Sequence, residues 1–185
     1  MLTGERIQLR AFRPDEFEMV RAWFDDPRKV AGPQQQVDLS AVGDQVVQSL
    51  QYSAEPGEAE GRFAIELLAD GRVVGMIRYF TTPLMEGMYA NYEIGYLIAD
   101  LAERRKGYAR EACLLLIDYL FASTDIRRIG ASTLGANEPS ARLLESLGFI
   151  HEGATRKAAL VGGDWADYFW YGLLREEWTA RRNAG

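Results

Sequence analysis

The chain has one cysteine, Cys113, and one histidine, His151, among its 185 residues. A single thiol excludes an internal disulfide, and so few ligands exclude a Cys/His zinc centre, so no metal is expected. The scarcity of cysteine suits a reducing compartment. Long apolar runs are also missing. The longest, residues 114–120, is interrupted by Asp118 and is far too short to cross a bilayer. Residues 1–6 carry no apolar leader, so a soluble, cytoplasmic protein without a membrane partner is expected. Positive charge is not in excess either: 21 Lys and Arg face 27 Asp and Glu, for a net charge of −6. That balance argues against a nucleic-acid partner, whereas a negative field would attract an amine. No repeat, low-complexity tract or composition shift marks a second domain.

Hydrophobic periodicity gives the order β-α-α-β-β-β-α-β-α-β-β. Residues 6–12 alternate as a half-buried strand, and Pro14-Asp15-Glu16 opens a helix that runs to Asp25. A second helix is expected over 40–52 after a loop at 32–38, and 55–58 form a polar break. Strands 62–69 and 72–80 flank Asp70-Gly71, a hairpin signal, and a third strand covers 89–99. The strongest helix spans 107–121, with Cys113 as a packing residue inside it. Strand 128–134, helix 138–147 and strands 149–159 and 164–174 complete the order. His151 reads as a surface strand residue without catalytic partners. Residues 1–178 are expected as one domain, with 179–185 a polar, fraying tail.

The most informative stretch is Glu103-Arg104-Arg105-Lys106-Gly107-Tyr108-Ala109-Arg110. It follows a strand and opens the strongest helix. A helix start offers free backbone N–H groups and the positive end of its dipole, which suits a pyrophosphate. Gly107 permits close approach of that backbone. Arg104, Arg105 and Lys106 cluster positive charge there in an acidic chain.

Arg104-x-x-Gly107-x-Ala109 resembles the acetyl-CoA signature of the GNAT N-acetyltransferases. Glu93-Ile94-Gly95-Tyr96-Leu97-Ile98 precedes it at the family's distance, and Asn137-Glu138-Pro139-Ser140 through Leu147-Gly148-Phe149 follows. The ending from Asp167-Tyr168-Phe169-Trp170 to Trp178 also fits, as does the opening through Trp23-Phe24-Asp25-Asp26-Pro27. Nearly the whole chain is similar to the Rim-like branch, which holds acetyltransferases of ribosomal-protein N-termini and of small molecules.

The resemblance implies an α+β fold with four main helices and a mixed, twisted sheet of about seven strands. The fourth and fifth strands would splay to admit acetyl-CoA. Its pyrophosphate would sit on the backbone of Arg105, Lys106, Gly107, Tyr108 and Ala109, with Arg104 also counted among the cofactor-binding residues. The pantetheine arm would run beside Leu97 and Ile98, with Asn137 hydrogen-bonded to it and an N–H near Ile98 polarising the thioester.

Many family members place a tyrosine acid where this chain has Leu144. In the Rim-like branch Ser140 takes that place, as donor to the sulfur; alternatively it only stabilises its helix turn. Glu93 is the leading base and Asp167 the second, beside the acceptor. Trp23 and other aromatics would wall the acceptor pocket, whose openness the segments 32–38 and 81–88 would set. The expected function is acetyl transfer from acetyl-CoA to a primary amine, either a peptide N-terminus or a small molecule. The missing tyrosine leaves room for a catalytically weak acetyl-CoA-binding module, and the fold for another acyl donor. The aromatic last strands suit a homodimer contact.

Overall fold

The computed structural model describes residues 1–26, 29, 39–52, 60–81, 91–161 and 163–183. The expected loops at 32–38 and 55–58, and the segment 82–88, lie outside the described residues. The strands are β1 Leu2–Thr3, β2 Ile7–Arg10, β3 Glu60–Leu67, β4 Val73–Thr81, β5 Tyr92–Ile98, β6 Arg128–Leu134, β7 Ile150–Val161 and β8 Asp164–Leu174. They form one mixed sheet in the order β1-β2-β3-β4-β5-β6-β8-β7. All neighbours are antiparallel except β5 and β6. The helices are α1 Phe17–Trp23, α2 Leu39–Tyr52, α3 Tyr108–Ser123, α4 Glu138–Leu147 and α5 Arg175–Asn183. None is long and apolar enough to cross a membrane.

Alternation along the strands sends side chains to two cores. One face of the sheet, with Ile7, Ile65, Ile77 and Ile94, packs on α3 and α4 through Leu116, Ile117 and Leu144. The opposite face, with Ala64 and Met76, is covered by Val20, Trp23, Phe24 and Leu50 of α1 and α2. At the near edge, Arg10 Nε donates to Glu66 at 2.6 Å and Arg10 Nη2 to Glu16 at 2.6 Å. This network lets Glu66 lie buried inside the sheet.

The sheet gains one strand over the expected seven, because β1 folds back on β2 through a turn closed by the Gly4 N–H and the Ile7 carbonyl. A two-residue strand is too short to show a period. The β3–β4 turn is wider than its Asp-Gly signal implies: the Leu67 N–H donates to the Arg72 carbonyl, and Gly71 takes a φ of 72°. Residues 179–183, expected to fray, are helical. Buried Trp178 anchors α5, its Nε1 donating to Asp118 Oδ1 at 2.9 Å, and Arg181 donates to the Ser146 carbonyl at 2.8 Å.

Candidate functional site

The α3 turn is built for close approach. Gly107 stands at its N-cap with a φ of 89°, and Arg105 before it is also left-handed at 63°. The first bond back into the turn is from the Glu111 N–H to the Gly107 carbonyl at 3.0 Å. A glycine cap supplies no side-chain acceptor, so the N–H groups of Tyr108, Ala109 and Arg110 point outward without a helical partner. Of the expected cations, Arg105 is exposed. Arg104 instead serves the scaffold, donating to the Ile98 carbonyl at 2.8 Å and the Lys29 carbonyl at 2.6 Å. Lys106 is paired with Glu103 at 2.8 Å. A further cation, Arg6, lies beside the turn. Arg6 donates to the Lys106 carbonyl at 2.8 Å, holds Glu111 at 2.9 Å and lies 3.0 Å from where a Gly107 Cβ would stand.

Beside this turn the sheet opens. β5 and β6 are in register only at Tyr92–Ile129, Glu93–Gly130 and Ile94–Ala131, after which the strands part. The gap holds a cavity of about 140 Å³ lined by residues of β5 and β6 with Asn137, Ser140, Leu144 and Tyr168. Backbone groups alternate between the two edges of a strand. The Ala99 N–H goes to the Val74 carbonyl on β4, so the N–H groups of Ile98 and Tyr96 point into the gap. Leu97 turns its carbonyl the other way, 2.1 Å from where a Cβ on Gly75 would stand, which is why that β4 position is glycine.

Two hydroxyls meet at the cavity wall, Tyr96 Oη and Ser140 Oγ, 2.8 Å apart. Burial pushes the Tyr96 phenol up and, against the weaker pull of Ser140, keeps it protonated. Asn137 caps α4, its Oδ1 accepting the Ser140 N–H at 3.3 Å. Leu144 is fully buried beneath them. Glu93 lies on the opposite face of β5 with its Cγ 3.0 Å from where a Gly130 Cβ would stand, and among the described residues its carboxylate has no hydrogen bond or ion pair.

Two expectations do not fit. Asp167 is spent on structure: its Oδ1 accepts the Lys157 N–H at 2.9 Å and steadies a left-handed residue in the β7 bulge. Tyr168, next to it, is the residue that lines the cavity, its hydroxyl 3.3 Å from Ser132 Oγ. Trp23 is a core residue, buried edge-on against Phe12 with centroids 6.3 Å apart. Aromatic character alone does not separate a core residue from a pocket wall. Cys113 is fully buried, which pushes its thiol up, and His151 is exposed beside Phe169 and Tyr171. No cluster of three metal-ligating side chains occurs among the described residues.

A parallel strand pair that splays beside an uncapped, glycine-led helix is the architecture of an acyl-CoA-dependent transferase. The acetyltransferase (GNAT) domain model matches residues 6–150, and the chain belongs to that family of N-acetyltransferases. An N-acetyltransferase named p20 from Bacillus licheniformis is 31% identical over 182 residues, covering 96% of this chain and 98% of its own. The ribosomal protein uS5-alanine N-acetyltransferase of Escherichia coli is 29% identical over 110 residues, 60% of this chain and 55% of that one. The resemblance to the Rim-like branch therefore holds. Among solved structures, the spermidine N-acetyltransferase of Vibrio cholerae in complex with CoA and spermine superposes with a TM-score of 0.78. It is 17% identical and covers 95% of this chain and 99% of that one, a likeness of fold alone.

Proposed function

We propose that this enzyme transfers an acetyl group from acetyl-CoA to a primary amine by direct attack. The observation that carries the reading is the gap between β5 and β6, which opens toward the free N–H groups of α3. These features fit coenzyme A, which supplies the activated thioester. Tyr108, Ala109 and Arg110 would hold its diphosphate through their amides, with Arg6 and Arg105 adding charge. The edge of β5 at Tyr96 and Ile98 would receive the pantetheine arm as an added strand, with Asn137 beside it.

The chemistry needs a neutral amine, a polarised carbonyl and a proton for the departing sulfur. The unpaired Glu93 carboxylate would take a proton from the incoming ammonium. The Ile98 N–H would polarise the thioester carbonyl. As the new C–N bond forms and the C–S bond breaks, Ser140 would give its hydroxyl proton to the sulfur. The proton lost from the newly acylated nitrogen would return through solvent to Tyr96 Oη as that hydroxyl, 2.8 Å behind, reprotonates Ser140. The fully buried Cys113 cannot act as an acyl carrier, which favours direct transfer.

The test is release of free CoA thiol when acetyl-CoA is incubated with a panel of small amines and short peptides. Release that depends on the amine is expected. Tight acetyl-CoA binding with no release across the panel would instead support a non-catalytic module.

A further inference from the structure

On the sheet face that carries Glu93, two arginines stand where electrostatics disfavours them. Arg62 of β3 and Arg78 of β4 are directly opposite partners, and Arg78 is in turn opposite Gly95 of β5. Like charges facing each other across a sheet repel, and removal from water makes this worse. The Arg62 side chain is only 11% exposed. Glu60 takes one of its terminal nitrogens at 3.2 Å, but its Nε is buried with no hydrogen-bond partner. Arg78 has no hydrogen bond or ion pair among the described residues. Its guanidinium carbon lies over the Phe80 ring, 4.7 Å from the centroid. Burial first, and the charge of Arg62 second, lower its guanidinium pKa, with Glu60, Tyr168 and Glu93 offsetting part of this.

A buried, unsatisfied guanidinium facing a like charge is costly, and a bound anion would offset that cost. Gly95 supplies the geometry. The Arg78 Nε lies 3.4 Å from where a Gly95 Cβ would stand, so the guanidinium reaches across a residue that also lines the reaction cavity. On one face, then, stand the Glu93 carboxylate and the Arg78 guanidinium, neither with a hydrogen bond or ion pair among the described residues. An amine bearing an anion would match both.

We propose that Arg78 and Arg62 form a subsite for an anionic group, carboxylate or phosphate, carried by the acceptor amine. Guanidinium forks suit either anion, and one bound there would neutralise the pair and occupy the orphaned Nε. This rests on the acetyl-transfer reading above and narrows its acceptor to amines that are also acids.

The experiment compares kcat/KM for matched acceptors: glycine, β-alanine and 4-aminobutyrate against their amides, and O-phosphoethanolamine against ethanolamine. At least one acidic member is expected to exceed its neutral partner about tenfold, worth about 1.4 kcal/mol. The arm that does so identifies the anion. Arg78→Gln is expected to abolish that preference by raising KM for the acidic acceptor, with a Tm no lower than that of wild type, since it removes one of two repelling charges. Arg78→Lys should restore part of the preference. Transfer to every neutral amine as efficiently as to its acid would overturn the subsite and leave the transferase reading intact. Should no amine be acetylated, titration of N-acetyl-β-alanine and of N-acetyl-O-phosphoethanolamine into the CoA-loaded protein decides the subsite separately. Binding by wild type that Arg78→Gln loses supports it, and absence of binding overturns it.

Discussion

At the scale of single residues, the reacting centre depends on two hydroxyls that the chain brings together from positions 44 residues apart. Ser140→Ala should lower kcat about a hundredfold with acetyl-CoA affinity kept, the usual loss for a general acid. Tyr96→Phe should lower kcat about tenfold, since water can stand in behind the serine. Steady-state kinetics with calorimetric Kd values check both, and an unchanged kcat in Ser140→Ala would remove Ser140 from the chemistry. Ser140 and Glu93 are singled out by short motifs, and the fold sets Ser140 in the cavity wall and Glu93 on the opposite face of β5. Tyr96 is not singled out, although it lies in the same motif as Glu93, because its partner is supplied by α4 and only the folded sheet brings them together. Asp167 shows the converse: one of its carboxylate oxygens accepts from a bulge that no local pattern announces.

At the scale of elements, the α3 turn was legible from glycine and small residues alone, while the source of its charge was not. Arg104 lies in the family signature yet ties β5 to the turn, and Arg6 arrives from the β1–β2 turn, 100 residues away. Gly107→Ala would force a side chain into a left-handed backbone, at about 1 kcal/mol, and crowd Arg6. Its acetyl-CoA Kd should rise about tenfold or more with the fold intact, read by calorimetry beside a thermal melt; an unchanged Kd would place the diphosphate elsewhere. α5 makes the opposite case. Its polar sequence hides one deeply buried anchor, and Trp178→Ala should cost about 3 kcal/mol in urea unfolding. A loss below about 0.5 kcal/mol would mean that the helix does not belong to the core.

At the scale of the whole molecule, the order of elements followed from periodicity and the fold class from the family resemblance, but the extra edge strand and the docked last helix needed tertiary contacts to exist. The edge network also sets the acid limit. Burial alone would raise the carboxylic acids of Glu16 and Glu66, but hydrogen bonds and charge from Arg10 outweigh it and hold both below the ordinary 4.5. The unfolded chain therefore binds more protons as pH falls below that value, so stability is full above it and declines as pH drops through the folded values. Urea midpoints at pH 7, 5 and 3 should show this fall, and Glu66→Gln should flatten it while lowering stability at pH 7. A homodimer through the exposed Trp165 and Trp170 would appear as twice the 20.8 kDa chain mass in sedimentation. The central claim, that the α3 amides and the β5 edge jointly hold the coenzyme, is tested most directly by following backbone amide resonances as CoA is added. Tyr108, Ala109, Arg110, Tyr96 and Ile98 should shift together and saturate together. Saturable binding that leaves all five unmoved would contradict it.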